Sequence, residues 1–237
     1  MVMKKFHLNV ALNSRNLFTK ILFSAVLAVS FTAAHSQAGQ ALAFNGTNNY
    51  VSLPFTFSGS YTKEAWIRTN TLTGTPNIIS GNGSTGTALY LDNGRIAAGH
   101  GPTFTQTLDA TPLVAGTWYH VAVTFNAATG AMNLYKNGVV VSSATAPAYT
   151  ETVQELGRFI GTFYFNGAID EVRVWNLVRT PAEIAASANC QLNGQETGLI
   201  AYYNFNEGVA GGTNTGVTTL YDLHGNCPLM VHCKTLH

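Results

Sequence analysis

The chain has 237 residues, with 12 lysines and arginines against 11 aspartates and glutamates, and only 10% of its residues are charged. Four of the basic residues and none of the acidic ones precede Ser36, so the chain beyond Ser36 carries eight positive against eleven negative charges and is mildly acidic. That balance, without a basic patch interleaved with aromatics, excludes nucleic acid as a partner, and about 200 residues without a charged or Pro/Ser-rich linker read as one large β domain.

Lys4, Lys5, Arg15 and Lys20 precede an uncharged run from Ile21 to Ala34, and Ala34-His35-Ser36 sets small residues at the two positions a signal peptidase reads. The expectation is a secretory signal peptide over residues 1–36, cleaved near Ser36, and one domain over 37–237. An apolar run of about 14 residues falls short of the roughly 20 that span a bilayer, which weighs against a membrane anchor. The mature chain is therefore expected outside the cell, at its surface or in the periplasm, and free of the membrane.

Ala41 to Phe44 reads as a short strand, Asn45-Gly46-Thr47-Asn48-Asn49 as a turn, and Tyr50 to Leu53 as a second strand stopped by Pro54. Tyr61 to Thr69 alternates Tyr61, Lys63, Ala65 and Ile67 against Thr62, Glu64, Trp66 and Arg68. Asn77 to Ser80 and Thr87 to Leu91 are further strands around a Gly/Ser/Thr loop. Asp92-Asn93-Gly94 and Asn137-Gly138 mark two hairpins. Between them Trp118 to Phe125 alternates strictly, with Tyr119, Val121, Val123 and Phe125 on the face expected in the core.

Ala168 to Trp175 sorts Asp170, Val172 and Val174 onto one face and Ile169, Glu171, Arg173 and Trp175 onto the other, so this strand is expected to be covered on both sides. Thr180-Pro181-Ala182-Glu183 then supplies an N-cap hydroxyl, a proline at the first helical position and a glutamate three residues after the cap, which start a short helix ending by Asn189. Gly198 to Phe205 and Thr218 to Leu223 complete about twelve or thirteen short strands with turn signals every 8 to 12 residues, the pattern of an antiparallel sandwich or barrel. Cys190, Cys227 and Cys233 are the only cysteines, and a disulfide from Cys190 to Cys227, or to Cys233, would tie the tail to the end of the helix.

Six segments in order resemble the LamG-like (laminin G type 3) jellyroll domains of the concanavalin A-like lectin/glucanase superfamily. They are Ala43 to Gly46 with Tyr50-Val51, Tyr61 to Trp66, Gly116 to Thr124, Leu134 to Gly138, Phe165 to Trp175 and Leu199 to Phe205. The resemblance implies an all-β fold: a two-sheet antiparallel jellyroll sandwich with one short helix, holding ligands on its concave side or its rim loops. The end departs from the family pattern, because Asp222-Leu223-His224-Gly225-Asn226 runs straight into Cys227-Pro228, so the closing strand is expected to be degenerate or truncated.

Related glucanases place carboxylates as Glu-x-Asp-x-x-Glu on one strand face. No such spacing occurs here: Asp170 and Glu171 are adjacent and project to opposite faces of an ideal strand. No catalytic residues are therefore expected. The resemblance implies one structural Ca²⁺ held by Asn45, Asn48 and Asp170; the same residues equally allow Asp170 to accept backbone amides of the Asn45-Gly46 turn with no ion present. Trp66, Arg68, Arg173 and Trp175 set aromatic rings beside charged groups suited to sugar hydroxyls, and are the candidate ligand contacts. The alternative reading of the same strands is cross-strand ion pairs, Glu64 with Arg173 and Glu171 with Arg68, beneath stacked tryptophans. Loops 81–87 and 100–107 would carry specificity. The function expected is a secreted, non-catalytic carbohydrate-binding (lectin-like) or adhesion module, engaging an extracellular glycan or a cell-surface protein. A structural protein–protein interaction module and a diverged glycoside hydrolase are the alternatives.

Overall fold

Side chains alternating by two commit most of the chain to extended backbone that buries one face at a time. A computed structural model describes residues 40–53, 55–81, 86–151, 153–209, 219–224 and 228–232. In chain order its strands are β1 (Leu42–Asn45), β2 (Tyr50–Leu53), β3 (Phe57–Ser58), β4 (Tyr61–Thr69), β5 (Asn77–Gly81), β6 (Ala88–Asp92), β7 (Arg95–His100), β8 (Thr105–Leu108) and β9 (Trp118–Phe125). They continue as β10 (Ala131–Lys136), β11 (Val139–Thr145), β12 (Thr150–Glu151), β13 (Gln154–Leu156), β14 (Asn166–Trp175), β15 (Leu199–Tyr203), β16 (Thr219–Tyr221) and β17 (Pro228–His232), with one helix among the described residues, α1 (Pro181–Ser187). The count exceeds the twelve or thirteen expected because the two-residue β3 and β12 are too short to show a period, β8 falls mostly in the stretch read as loop 100–107, and β17 belongs to the end expected to be degenerate.

The strands form the expected antiparallel two-sheet jellyroll. One sheet runs β1-β14-β4-β9-β10-β11, with β15 also paired to β14. The other runs β16-β17-β2-β13-β5-β6-β7-β8. The closing strand is present after all: Val231 and His232 of β17 pair with Val51 and Tyr50 of β2. Between the sheets lie Ala65 and Ile67 of β4, Leu89 and Leu91 of β6, Ile96 and Ala98 of β7 and Val121, Val123 and Phe125 of β9, all fully or nearly fully buried. Lys63 faces the same interior, and its Nζ donates to Thr87 O (2.9 Å), Thr87 Oγ1 (2.7 Å) and Gln154 Oε1 (2.7 Å), a polar tie from one sheet to the other.

In β14 the alternation read from sequence breaks. Its register against β4 shifts between Asp170 and Arg173, and Glu171 takes φ +50°. This bulge inserts one residue, so Ile169 shares the core face with Val172 and Val174 instead of opposing them. The expected covering on both sides is found, because β14 is buried from Gly167 to Trp175.

The helix follows its sequence signal. Thr180 accepts from Glu183 N, the Glu183 carboxylate reaches back to Thr180 N (2.7 Å), and Pro181 opens the first turn. Its one buried residue, Ile184, packs with Ala122 and Tyr135 on the outer face of the seven-stranded sheet.

Candidate functional site

Three of the four candidate ligand contacts are covered: Trp66 and Arg173 by the end of α1 and the residues just beyond it, and Trp175 by Arg179, Leu199 and Tyr202. Trp66, Arg173 and Trp175 are 3%, 1% and 2% exposed. Trp66 Nε1 donates to Ala188 O (2.7 Å), and Trp175 Nε1 donates to Glu64 Oε1 (2.6 Å). Arg173 donates to Ser187 O (2.7 Å), Cys190 O (2.6 Å) and Glu171 Oε2 (2.7 Å), and Tyr202 Oη donates to the same Glu171 oxygen (2.7 Å). Arg179 donates to Glu64 Oε1 (3.0 Å) and lies 4.1 Å from the Trp175 ring centre. His120 Nε2 faces Glu64 Oε2 at 3.3 Å.

Burial alone would raise the Glu64 carboxyl, but His120, Arg173 and Arg179 outweigh it and hold the group below its ordinary value. These charges are spent on one another and on the backbone of the helix end. Sequence had offered the pairs Glu64 with Arg173 and Glu171 with Arg68. Arg173 does sit opposite Glu64 in the register, yet its guanidinium bonds Glu171; Arg68 sits opposite Ala168 and stays apart. Glu64, offered by sequence as an ion-pair member, is joined by His120 and Arg179, whose distance along the chain hid their part in the cluster.

Arg68 alone of the four is exposed, stacked on the Trp118 ring at 5.3 Å. It opens onto a cleft at the rim, where the Asn45–Asn49 turn, residues 70–76 and residues 161–166 meet. The larger lobe, about 480 Å³, is lined by Gly46, Thr71, Thr73, Thr75, Phe163 and Tyr164 among others. The smaller, about 260 Å³, is lined by Asn45, Asn49, Arg68 and Asn70, and Asn166 belongs to both.

Backbone bonds fix these loops: Gly46 N to Phe165 O, Asn70 N to Asn166 O and Asn77 N to Phe163 O, each 2.9 Å. Phe165 is fully buried edge-on to Phe44, and so anchors the segment whose neighbour Phe163 remains 46% exposed. Ile160 and Phe163 hold φ of +44° and +50°, a conformation costly for bulky residues and concentrated at functional sites. Gly167 lies at the base of the small lobe, where a side chain would meet Arg68 O at 2.1 Å. The cleft presents one exposed aromatic ring, several hydroxyls and amides, and one cation, without a carboxylate among its lining residues.

The laminin G 3 family, within the concanavalin A-like lectin/glucanases superfamily, matches residues 45–185. The chain belongs to this superfamily. No curated protein matches it. Among solved structures it is similar to a candidate carbohydrate binding protein from Bacteroides ovatus ATCC 8483, at 23% identity and a TM-score of 0.68, over 84% of this chain and 60% of that one. It thus spans under two thirds of that protein's length. It is also similar to domain 4 of AbnA, a GH43 extracellular arabinanase from Geobacillus stearothermophilus in complex with arabinotriose, at 23% identity and a TM-score of 0.53, over 64% and 77% of the two chains. A third likeness is to the Ruminococcus gnavus IT-sialidase CBM40 bound to alpha2,3 sialyllactose, at 16% identity and a TM-score of 0.53, over 62% and 95%. At these identities the likeness is one of fold.

The calcium set expected of a superfamily member is not brought together in this chain. Asn45 pairs with Asn166, four residues along β14 from Asp170, which places Asp170 about 13 Å from the turn. Asn45 Oδ1 accepts from Thr47 N (3.0 Å), Asn48 N (3.1 Å) and Asn49 N (3.2 Å), and Asn45 Nδ2 donates to Asn48 Oδ1 (2.8 Å). N–H groups converging on one oxygen make that spot a poor seat for a cation. Asp170, 3% exposed, accepts from Glu171 N (2.8 Å). Burial and then the neighbouring Glu171 push its carboxyl up to about 7.

Cys190 is exposed and its thiol faces Ala186 O at 3.6 Å; its expected partners, Cys227 and Cys233, lie outside the described residues. Of the two loops expected to carry specificity, residues 82–85 also lie outside them. In the other, His100 turns inward to stack on Phe125 at 3.8 Å.

Proposed function

We propose that this chain is an exported, non-catalytic carbohydrate-binding module whose ligand lies in the rim cleft. The carrying observation is the lining: exposed Phe163 shares the larger lobe with Thr71, Thr73, Thr75 and Asn166, and Asn70 lines the smaller, a ring for a sugar face flanked by groups for its hydroxyls. Hydrolysis through paired carboxylates would need two acids at the bound sugar, and the cleft offers amides and hydroxyls in their place. The fold of the arabinotriose and sialyllactose complexes supports the reading as analogy of architecture.

A glycan array, run with and without a chelator, tests it. Binding to at least one oligosaccharide is expected, with the chelator making no difference. Phe163→Ala should then weaken that binding by about 1–2 kcal/mol without lowering Tm, because the ring is an exposed anchor outside the core. An array blank under both conditions, or a Phe163→Ala chain that binds as tightly as the parent, would contradict the proposal.

A further inference from the structure

The small lobe of the cleft is uneven in charge. Arg68 is the one side chain lining either lobe that is ionised at neutral pH; its neighbours there are amides, hydroxyls, apolar groups and backbone. Among the described residues, the ion pairs involve other arginines, Lys136 and His120, and none engages Arg68. Its guanidinium carbon lies 5.3 Å from the centre of the Trp118 ring, a cation–π contact that leaves its charge unpaired.

A second observation points the same way. Asn49 is 3% exposed, lines the same lobe, and its Nδ2 has no hydrogen-bond partner. The amide cannot be turned around to cure this. Asn45 N–H donates to Asn49 Oδ1 at 3.2 Å, and only the oxygen can accept, so the nitrogen must face away. An unmet buried donor in a native fold requires a cause. Asn70 Nδ2, by contrast, already donates to Asn166 Oδ1 at 3.0 Å. The lobe is therefore lined by two residues that carry an unfilled donor, one of them cationic, and by no acid to meet them. The chemistry that answers both is a planar, anionic, acceptor-only group, because the arginine fork binds a carboxylate through two parallel N–H···O bonds.

Resting on the rim-cleft reading above, we propose that this lobe is a subsite for the carboxylate of an acidic sugar, taken by Arg68 with Asn49 Nδ2, while the remainder of the glycan extends toward Phe163. The same carboxylate could come from a uronic acid or from a sialic acid, and the experiment separates them. Calorimetric titrations of the mature chain would compare trigalacturonate with its carboxyl-reduced trimer, and sialyllactose with lactose. In at least one pair the acid should bind about tenfold tighter than its neutral partner, and the gap should narrow as salt is raised.

Arg68→Gln should bring the pair toward parity, Arg68→Lys should restore only part of the preference because it keeps charge without the fork, and Asn49→Asp should invert it. Asn49→Asp retains the acceptor for Asn45 N–H, so its melting temperature serves as the check on folding. Equal affinity within both pairs would overturn the carboxylate subsite and leave glycan binding standing. Tighter binding of a sulfated sugar than of either acid would also overturn it. Absence of binding to all four sugars by a chain that binds another oligosaccharide of the array would overturn this proposal alone, whereas a blank array would remove the reading beneath it as well.

Discussion

Asp170 shows how one side chain can be read correctly as special and misread in its role. Sequence marked it as an acid on a strand that would be buried, and the structure does bury it. It could not show that the bulge sets Glu171 beside it and leaves the Asn45 turn out of reach. The consequence is a titration that opposes folding. The native carboxyl holds its proton up to about pH 7, whereas the ordinary value is 3.8. Between those values the native state binds more protons than the unfolded chain, so stability falls as pH rises through that window and is level above it.

Asp170→Asn should remove this decline: the difference in Tm between variant and parent should grow from pH 4 to pH 7. Taking the difference cancels His100, whose imidazole burial pushes down to about 4. A difference that stays constant across the window would contradict the assignment. Arg68 is the complementary case. Sequence grouped it with Trp66 because both project from one face of β4, and two residues of displacement toward the strand end are what leave it in the open while Trp66 is sealed under Ala188.

At the scale of elements, local signals were read well and non-local ones poorly. The capping box of α1, the Asn93-Gly94 and Asn137-Gly138 hairpins and the strict alternation of β9 each depend on residues within one turn or one strand, and each formed where expected. The bulge in β14 shows only in its register against β4, and the covering of Trp66 and Arg173 depends on where the end of α1 lands. No spacing rule within the chain gives that.

The close approaches between elements are set the same way. Gly157 holds φ +82°, and a side chain there would meet the Phe44 ring at 2.2 Å. Phe44 packs in turn on Phe165, the anchor of the rim segment. Gly157→Ala should therefore lower stability by about 2–4 kcal/mol in denaturant melts, summing a left-handed backbone and an overpacked ring. A change within about 0.5 kcal/mol, the range of an ordinary surface substitution, would show that this contact yields freely.

For the whole molecule, composition and the order of the six segments were enough to specify two antiparallel sheets and one helix. They were not enough to say which surface is free. Aromatic and charged residues together suit either a sugar platform or a covered polar layer, and the choice is made by the helix that closes over one face of the seven-stranded sheet. Of the rim loops only the Asn45–Asn49 turn drew attention, as a candidate calcium seat, since Thr, Gly and Asn in the others are what any turn requires.

The proposed export is tested on the full chain as well. The basic stretch and apolar run over residues 1–36 should direct cleavage near Ser36. Intact mass and N-terminal sequencing of the protein recovered outside the cytoplasm should then give a chain starting at or near Gln37. Recovery of the unprocessed chain from the cytoplasm would contradict it.

The most direct test of the rim cleft as the binding site is an amide NMR titration of the mature chain with its tightest array ligand. The largest shifts should fall on residues 45–49, 68–76 and 161–166, with α1 and residues 188–190 undisturbed. Shifts concentrated on Trp66, Arg173, Trp175 and the helix above them, with the rim loops silent, would contradict it.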